Sequence, residues 1–193
     1  MYRRFFAVAA AVLSLCCVLV ATPARADDNM NMTAGEHHKG GIGFHESAAP
    51  LGVRWWLGSE KVGIDLGVGF GSEPSFLYTG KHLKSFAISA GVPIVVQSWP
   101  RVHVLFRPGI LYQTNQVETA APPTAFATES QKTLTIKGEI EGEGFILENF
   151  SVSASTGIAY ESFDPGFGAD KENSFGTVGG NFTTVGFHLY FAH

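Results

Sequence analysis

The chain has 193 residues, with 13 Lys plus Arg against 17 Asp plus Glu and a formal net charge of -4. That acidic balance argues against a nucleic-acid-binding protein, which needs a basic patch. Its length suits one domain, and its two cysteines, Cys16 and Cys17, both fall in the opening segment.

Residues 1–26, MYRRFFAVAAAVLSLCCVLVATPARA, carry Arg3 and Arg4, an apolar run from Phe5 to Val20, then Pro23 and the small-residue triplet Ala24-Arg25-Ala26. This is the pattern of a cleaved signal peptide. The run is shorter than the roughly 20 residues of a spanning helix. Leu15 is too bulky for the position before an acylated Cys16. Cleavage after Ala26 removes three arginines, so 13 cationic residues become 10 against 17 acidic ones and the net charge becomes -7. It also removes both cysteines, so the fold is expected to rest on packing and backbone hydrogen bonds alone. Residues 27–36 read as a flexible N-terminal tail. Met30, Met32, His37 and His38 are metal-ligand types, but their setting is that of a polar leader, and no metal and no cofactor are expected.

Residues 37–193 read as one β-barrel domain. A first strand is expected near 37–45 and a second near 50–57, divided at Glu46-Ser47-Ala48-Ala49. In the third, Val62, Ile64, Leu66, Val68 and Phe70 alternate with Gly63, Asp65, Gly67, Gly69 and Gly71. Strict period two places the two sets on opposite faces. The same alternation runs from Ser85 to Val96, Val102 to Gln113, Thr133 to Glu141, Phe150 to Glu161 and Thr184 to Phe191. The second face carries Gly, Ser, Ala and a few ions, where a soluble sandwich would show many long polar side chains. Small residues and sparse ions suit the crowded inside of a narrow barrel. After residue 26 no apolar run is long enough for a spanning helix, so a membrane-embedded form must be a closed barrel. The connections at 58–61, 98–101 and 147–149 are tight, whereas 73–84, 115–130 and 163–177 read as long polar loops. The expected fold is therefore all-β, an eight-stranded antiparallel up-and-down transmembrane β-barrel.

Register follows from the tight turns. Pairing Leu57 with Val62 sets Arg54 opposite Asp65. Pairing Val96 with Val102 sets Arg107 opposite Gly91. In the next hairpin Glu139 and Glu141 face Gly157 and Ser155. The lumen is expected to hold Arg54, Asp65, Arg107, Lys137, Glu139 and Glu141, with His103, His188 and Glu161. Buried charges demand pairing, and a structural salt-bridge network is favoured over a proton relay or binding site. Gly142, Gly144 and Phe145 suggest a bulge. Trp55, Trp56, Trp99, Phe150 and Tyr160 lie near strand ends as candidate aromatic belts, with Trp56 pointed inward by the register.

The segment Thr184-Val185-Gly186-Phe187-His188-Leu189-Tyr190-Phe191 resembles the C-terminal insertion signal of bacterial outer-membrane proteins, carried by Thr184, Gly186, Phe187, Leu189 and Phe191. Ala192 and His193 follow the usual terminal aromatic. Leu51 to Leu57 and Val62 to Phe70 resemble small barrels of the OmpA/OmpX-like superfamily. The resemblance implies a porin-like Gram-negative outer-membrane protein without enzymatic activity. Its implied partners are outer-membrane lipid, the barrel-assembly machinery and an unknown surface partner, with a role in envelope integrity or surface contact through the long loops. Two other readings stand beside it. A lipid A deacylase would draw on His45, Glu46 and Ser47, of which only His45 and Ser47 converge on one strand face. A soluble periplasmic lipocalin-like binder of apolar ligands would turn the large apolar residues inward.

Overall fold

The computed structural model describes residues 38–44, 46–57, 61–75, 82–121, 125–177 and 183–192. The expected signal segment 1–26, the tail 27–36, His37 and His45 lie outside them. Ten strand segments follow: β1 (His38–Phe44), β2 (Leu51–Leu57), β3 (Val62–Pro74), β4 (His82–Gly91), β5 (Ile94–Trp99), β6 (Val102–Ala121), β7 (Ala125–Leu147), β8 (Phe150–Asp164), β9 (Glu172–Gly176) and β10 (Thr183–Ala192). β4 and β5 together make the fourth stave, lying between β3 and β6, and β9 and β10 together make the eighth. β10 then pairs with β1, from Ala192 against His38 to Phe187 against Phe44, and the sheet closes. The result is an eight-stranded antiparallel up-and-down barrel.

The alternation in the sequence becomes an inside and an outside. On β3, Gly63, Asp65, Gly67 and Gly69 are buried while Ile64, Leu66, Val68 and Phe70 are exposed. On β10, His188 is 2% exposed and its neighbour Phe187 is 47%. Every stave repeats this inversion of the soluble pattern, so the large apolar side chains form the outer wall. Two small apolar clusters occupy the inside. Trp56, Leu105, Phe145 and Tyr190 fill the end near the tight turns. Ala49, Ala87 and Leu111 pack together nearer the other end.

The β2–β3 register is the expected one, with Leu57 against Val62 and Arg54 against Asp65. The next hairpin differs. Trp99, not Val96, pairs with Val102, and a bulge between Val95 and Gln97 absorbs Val96. The stave is also broken at Val92-Pro93, because Pro93 has no N–H to give to a ladder. There the Val92 N–H donates to the Pro108 carbonyl at 2.9 Å and the Gly63 N–H to the Pro93 carbonyl at 2.8 Å. Glycines 142 and 144 stay in register; the irregularity falls at Ile146, and Phe145 points inward as alternation requires. Much of what reads as long loop is strand. β6 and β7 continue pairing from Asn115 against Gln131 out to Ala121 against Ala125. Thr114, Val117 and Thr128 are β-branched and fit a pleated ladder whatever the polarity around them. Within 163–177, β9 pairs with the end of β8.

Candidate functional site

The inward residues of β2, β3, β6 and β7 converge on a continuous ionic network. Arg54 is its hub. Its Nε and Nη2 donate to Asp65 Oδ1 and Oδ2 at 2.8 and 2.9 Å, a two-pronged pairing fixed by the β2–β3 register. Nη2 also reaches Glu141 Oε1 at 3.0 Å, and Nη1 reaches Glu143 Oε2 at 3.2 Å. The guanidinium carbon stands 5.6 Å from the Trp56 ring centre, so an aromatic face covers part of the same cation. Arg107 links the hub to the next group, with Nε on Asp65 Oδ2 and Nη1 on Glu139 Oε2, both at 2.7 Å. Lys137 Nζ holds Glu46 at 2.8 and 2.9 Å and lies 3.3 Å from Glu139.

Hydroxyls supply the remaining donors. Ser155 donates to Glu139, and both Ser151 and Tyr190 donate to Glu143 Oε1, at 2.6 and 2.7 Å. His188 Nδ1 is 3.6 Å from the same oxygen. All six expected lumen residues, Arg54, Asp65, Arg107, Lys137, Glu139 and Glu141, are buried in this one network. Glu139 and Glu141 face Gly157 and Ser155 across β7–β8. His103 is half-buried with its ring 5.1 Å from Phe145, and Glu161 is half-buried opposite Thr135.

Arg107 reaches Gly91 by a different route from the expected one. The residue paired with Gly91 is Gly109, two positions further along β6, yet the Arg107 guanidinium lies over Gly91. A Cβ at Gly91 would stand 2.8 Å from Arg107 Nε and 2.9 Å from its Cζ. Gly91→Leu is therefore expected to push the guanidinium off Asp65 and cost about 2–4 kcal/mol, within the range for disturbing a buried ion pair. A urea titration followed by the loss of compact migration in gels would measure it, and an unchanged midpoint would contradict this role for the glycine.

Three members were missed in the sequence. Glu143 and Tyr190 continue alternations already read, so their signal was available. Glu46 was not legible as a lumen residue, because it sits in a connection. Segment 46–50 folds back into the barrel. Glu46 and Ala49 are fully buried, and Ala48 and Ala49 press their carbonyls against β3. A Cβ at Gly69 would stand 2.0 Å from the Ala48 carbonyl oxygen and one at Gly67 3.0 Å from that of Ala49. Glycine at both positions is what admits the inserted segment. Ser47 is exposed and Glu46 is engaged by Lys137, while His45, the other half of the expected His45–Ser47 pair, lies outside the described residues.

Among the insertion-signal residues, Thr184 is buried against Ser155, Gly186 is buried, and Phe187, Leu189 and Phe191 are exposed on the outer wall. Among the described residues no three His, Cys, Asp or Glu side chains are grouped to hold a metal. Among the described residues the buried charges are five carboxylates (Glu46, Asp65, Glu139, Glu141, Glu143) against three cations (Arg54, Arg107, Lys137), and each carboxylate accepts from at least one cation. Such a set cross-links the staves and obstructs the lumen. Comparison with known protein families, curated proteins and solved structures returned no match to this chain.

Proposed function

We propose that this chain is a non-enzymatic integral outer-membrane β-barrel of the OmpA/OmpX-like kind. Its filled lumen serves stability, and its loop-end hairpins serve envelope integrity or surface contact. One observation carries the reading: an exposed apolar wall around the whole barrel. Ile42, Val53, Leu66, Ile88, Phe106, Ile140, Val152 and Phe187 represent the eight staves, and all are at least 36% exposed. Soluble monomers rarely expose contiguous apolar patches beyond a few hundred Å². On β3 the wall runs from Val62 to Phe70. Eight residue steps give about 26 Å along the strand, or about 20 Å along the axis of a barrel whose strands tilt by roughly 40°. With side chains added, this approaches the band of about 25 Å that outer-membrane barrels present to lipid. Exposed Trp55 and Trp99 lie toward the tight-turn end and Tyr112 and Tyr160 toward the other, as interfacial girdles would.

The inward ions and outward apolar residues weigh against the lipocalin-like alternative, which needs the reverse. A hydrolytic site is disfavoured by burial: Ser151, Glu143 and His188 sit together, but all are sealed inside, and Ser151 donates to the carboxylate. The insertion signal read at Thr184, Gly186, Phe187, Leu189 and Phe191 supports the barrel-assembly machinery as a partner, with membrane lipid as the other.

Two measurements test the reading together. The folded chain is expected to float with phosphatidylcholine vesicles and to migrate faster in SDS gels before boiling than after. A protein that stays soluble without detergent and does not float would overturn it.

A further inference from the structure

We infer that a cleft on the outer wall between Phe70 and Phe86 binds an anionic, phosphate-bearing membrane lipid, with Lys84 and Lys132 supplying the positive charge. The inference rests on the membrane reading above and names a lipid partner within it. Across β3, β4, β6 and β7 the outward residues Phe70, Phe86, Thr114 and Lys132 fall in one paired row. One step toward the loop end, Ser72 pairs with Lys84 and Gln116 with Ser130. Between these two strand pairs the backbone ladder gives way to a side chain: the Lys84 N–H donates to Gln116 Oε1 at 3.0 Å. A cleft of about 380 Å³ opens at that seam, lined by the two phenylalanines, Lys84, the hydroxyl and amide residues of these rows, and Gly71 and Ser85 of the inner face; Lys132 stands beside it, paired with Thr114. That volume suits one headgroup and its first carbons.

The chemistry of the lining is split in the way a lipid is split. Phe70 is 76% exposed and Phe86 43%, which provides two ring surfaces for hydrocarbon. Thr114 in the same row and Ser72 and Ser130 in the next stand as hydroxyl donors. The Gln116 carbonyl oxygen is occupied by the backbone, which leaves its amide NH2 to donate. Lys84 and Lys132 are both exposed at this level. Of the nearby acids, Glu118 accepts from Ser75, and Asp164, paired with Lys132 across β7–β8, accepts from the Gly166 N–H and lies 3.7 Å from Lys171, while Glu73 and Glu129, next in sequence to Ser72 and Ser130, alternate to the other face. On a chain whose net charge is -4, this pair of lysines at the edge of the apolar wall complements an anion held at headgroup depth.

Native mass spectrometry of the full chain, released from neutral detergent micelles containing equal phosphatidylglycerol and phosphatidylcholine, tests the site. Both lipids carry a phosphodiester, but choline neutralises the second. The wild type is expected to retain phosphatidylglycerol at least fivefold over phosphatidylcholine, since one lysine near an anionic surface contributes about fivefold. The double variant Lys84→Gln/Lys132→Gln is expected to lose that preference, while Lys61→Gln, at the tight-turn end, keeps it. Faster gel migration before boiling verifies that each variant is folded. Equal retention of both lipids by the wild type, a double variant that keeps the preference, or a second copy of the chain retained in place of lipid would overturn the site. Flotation with phosphatidylcholine vesicles separates the two readings. A chain that floats without lipid preference loses only this site, and a chain that does not float loses both.

Discussion

Replacing Arg54 with methionine is expected to lower stability by about 3–5 kcal/mol, the usual cost of removing one partner from a buried ion pair. The side chain faces Asp65, Glu141 and Glu143, all buried, and it donates to each. Without it, Glu141 loses the cation that meets both of its oxygens, while Asp65 keeps Arg107 and Glu143 keeps only hydroxyls and His188. Arg54→Lys is expected to recover little, because an ammonium is a point donor and cannot span three carboxylates as the planar fork does. Adding Glu141→Gln and Glu143→Gln to Arg54→Met should recover most of the loss, since the two stranded charges go with their partner while Asp65 keeps Arg107. Urea titration in detergent, read by the unboiled gel band, gives the four midpoints. A wild-type midpoint for Arg54→Met would mean the network does not carry the barrel's stability.

Gly69→Leu is expected to expel segment 46–50 from the lumen. Its Cβ alone would stand 2.0 Å from the Ala48 carbonyl oxygen, which no rotamer relieves because the obstacle is backbone. The segment has somewhere to go, since it already lies at the barrel end opposite the tight turns. An Ala49→Cys reporter, in a chain whose Cys16 and Cys17 are replaced by serine, reads the event. Ala49 is fully buried, so the reporter thiol should resist a charged maleimide in the wild-type background. With Gly69→Leu its labelling should accelerate by at least tenfold, and ionic current across planar bilayers should rise above the closed baseline. Breaking one pair of charges by Glu46→Gln is a milder change, because the amide oxygen still accepts from Lys137. Unchanged labelling of the reporter in the Gly69→Leu chain would mean that the segment is not what seals this end.

These two sites differ in how far the sequence disclosed them. Arg54 and Asp65 stand on either side of a tight turn, and once the turn is fixed the pairing follows by counting. Arg107 shows the limit of counting. A bulge at Val96 and a break at Pro93 shift the ladder and flip the phase of the alternation within β5, so counting from the turn gives Arg107 the wrong backbone partner although its side chain does lie over Gly91. Leu105 and Leu111 passed unnoticed because an apolar residue on the inner face contradicts the simple two-faced rule. The paired stretch from Asn115 to Ser130 read as loop for the opposite reason. A strand polar on both sides has no period to detect, although its backbone pairing continues. Glu46 carried no signal of its own. Its trace was negative: Gly67 and Gly69, two absent side chains on β3, marked the space that another segment fills.

The seam between β1 and β10 has a consequence for how the molecule is made. These two strands are the first and last of the sheet in chain order, so the ring has no closed form until the final segment is delivered. A nascent or clipped chain lacking β10 would not be a smaller cylinder. It would be an open ribbon with the borders of β1 and β8 left as templates for any neighbouring polypeptide. Loss of β10 therefore opens two borders at once, and those borders are what any folding partner of the open ribbon would have to cover.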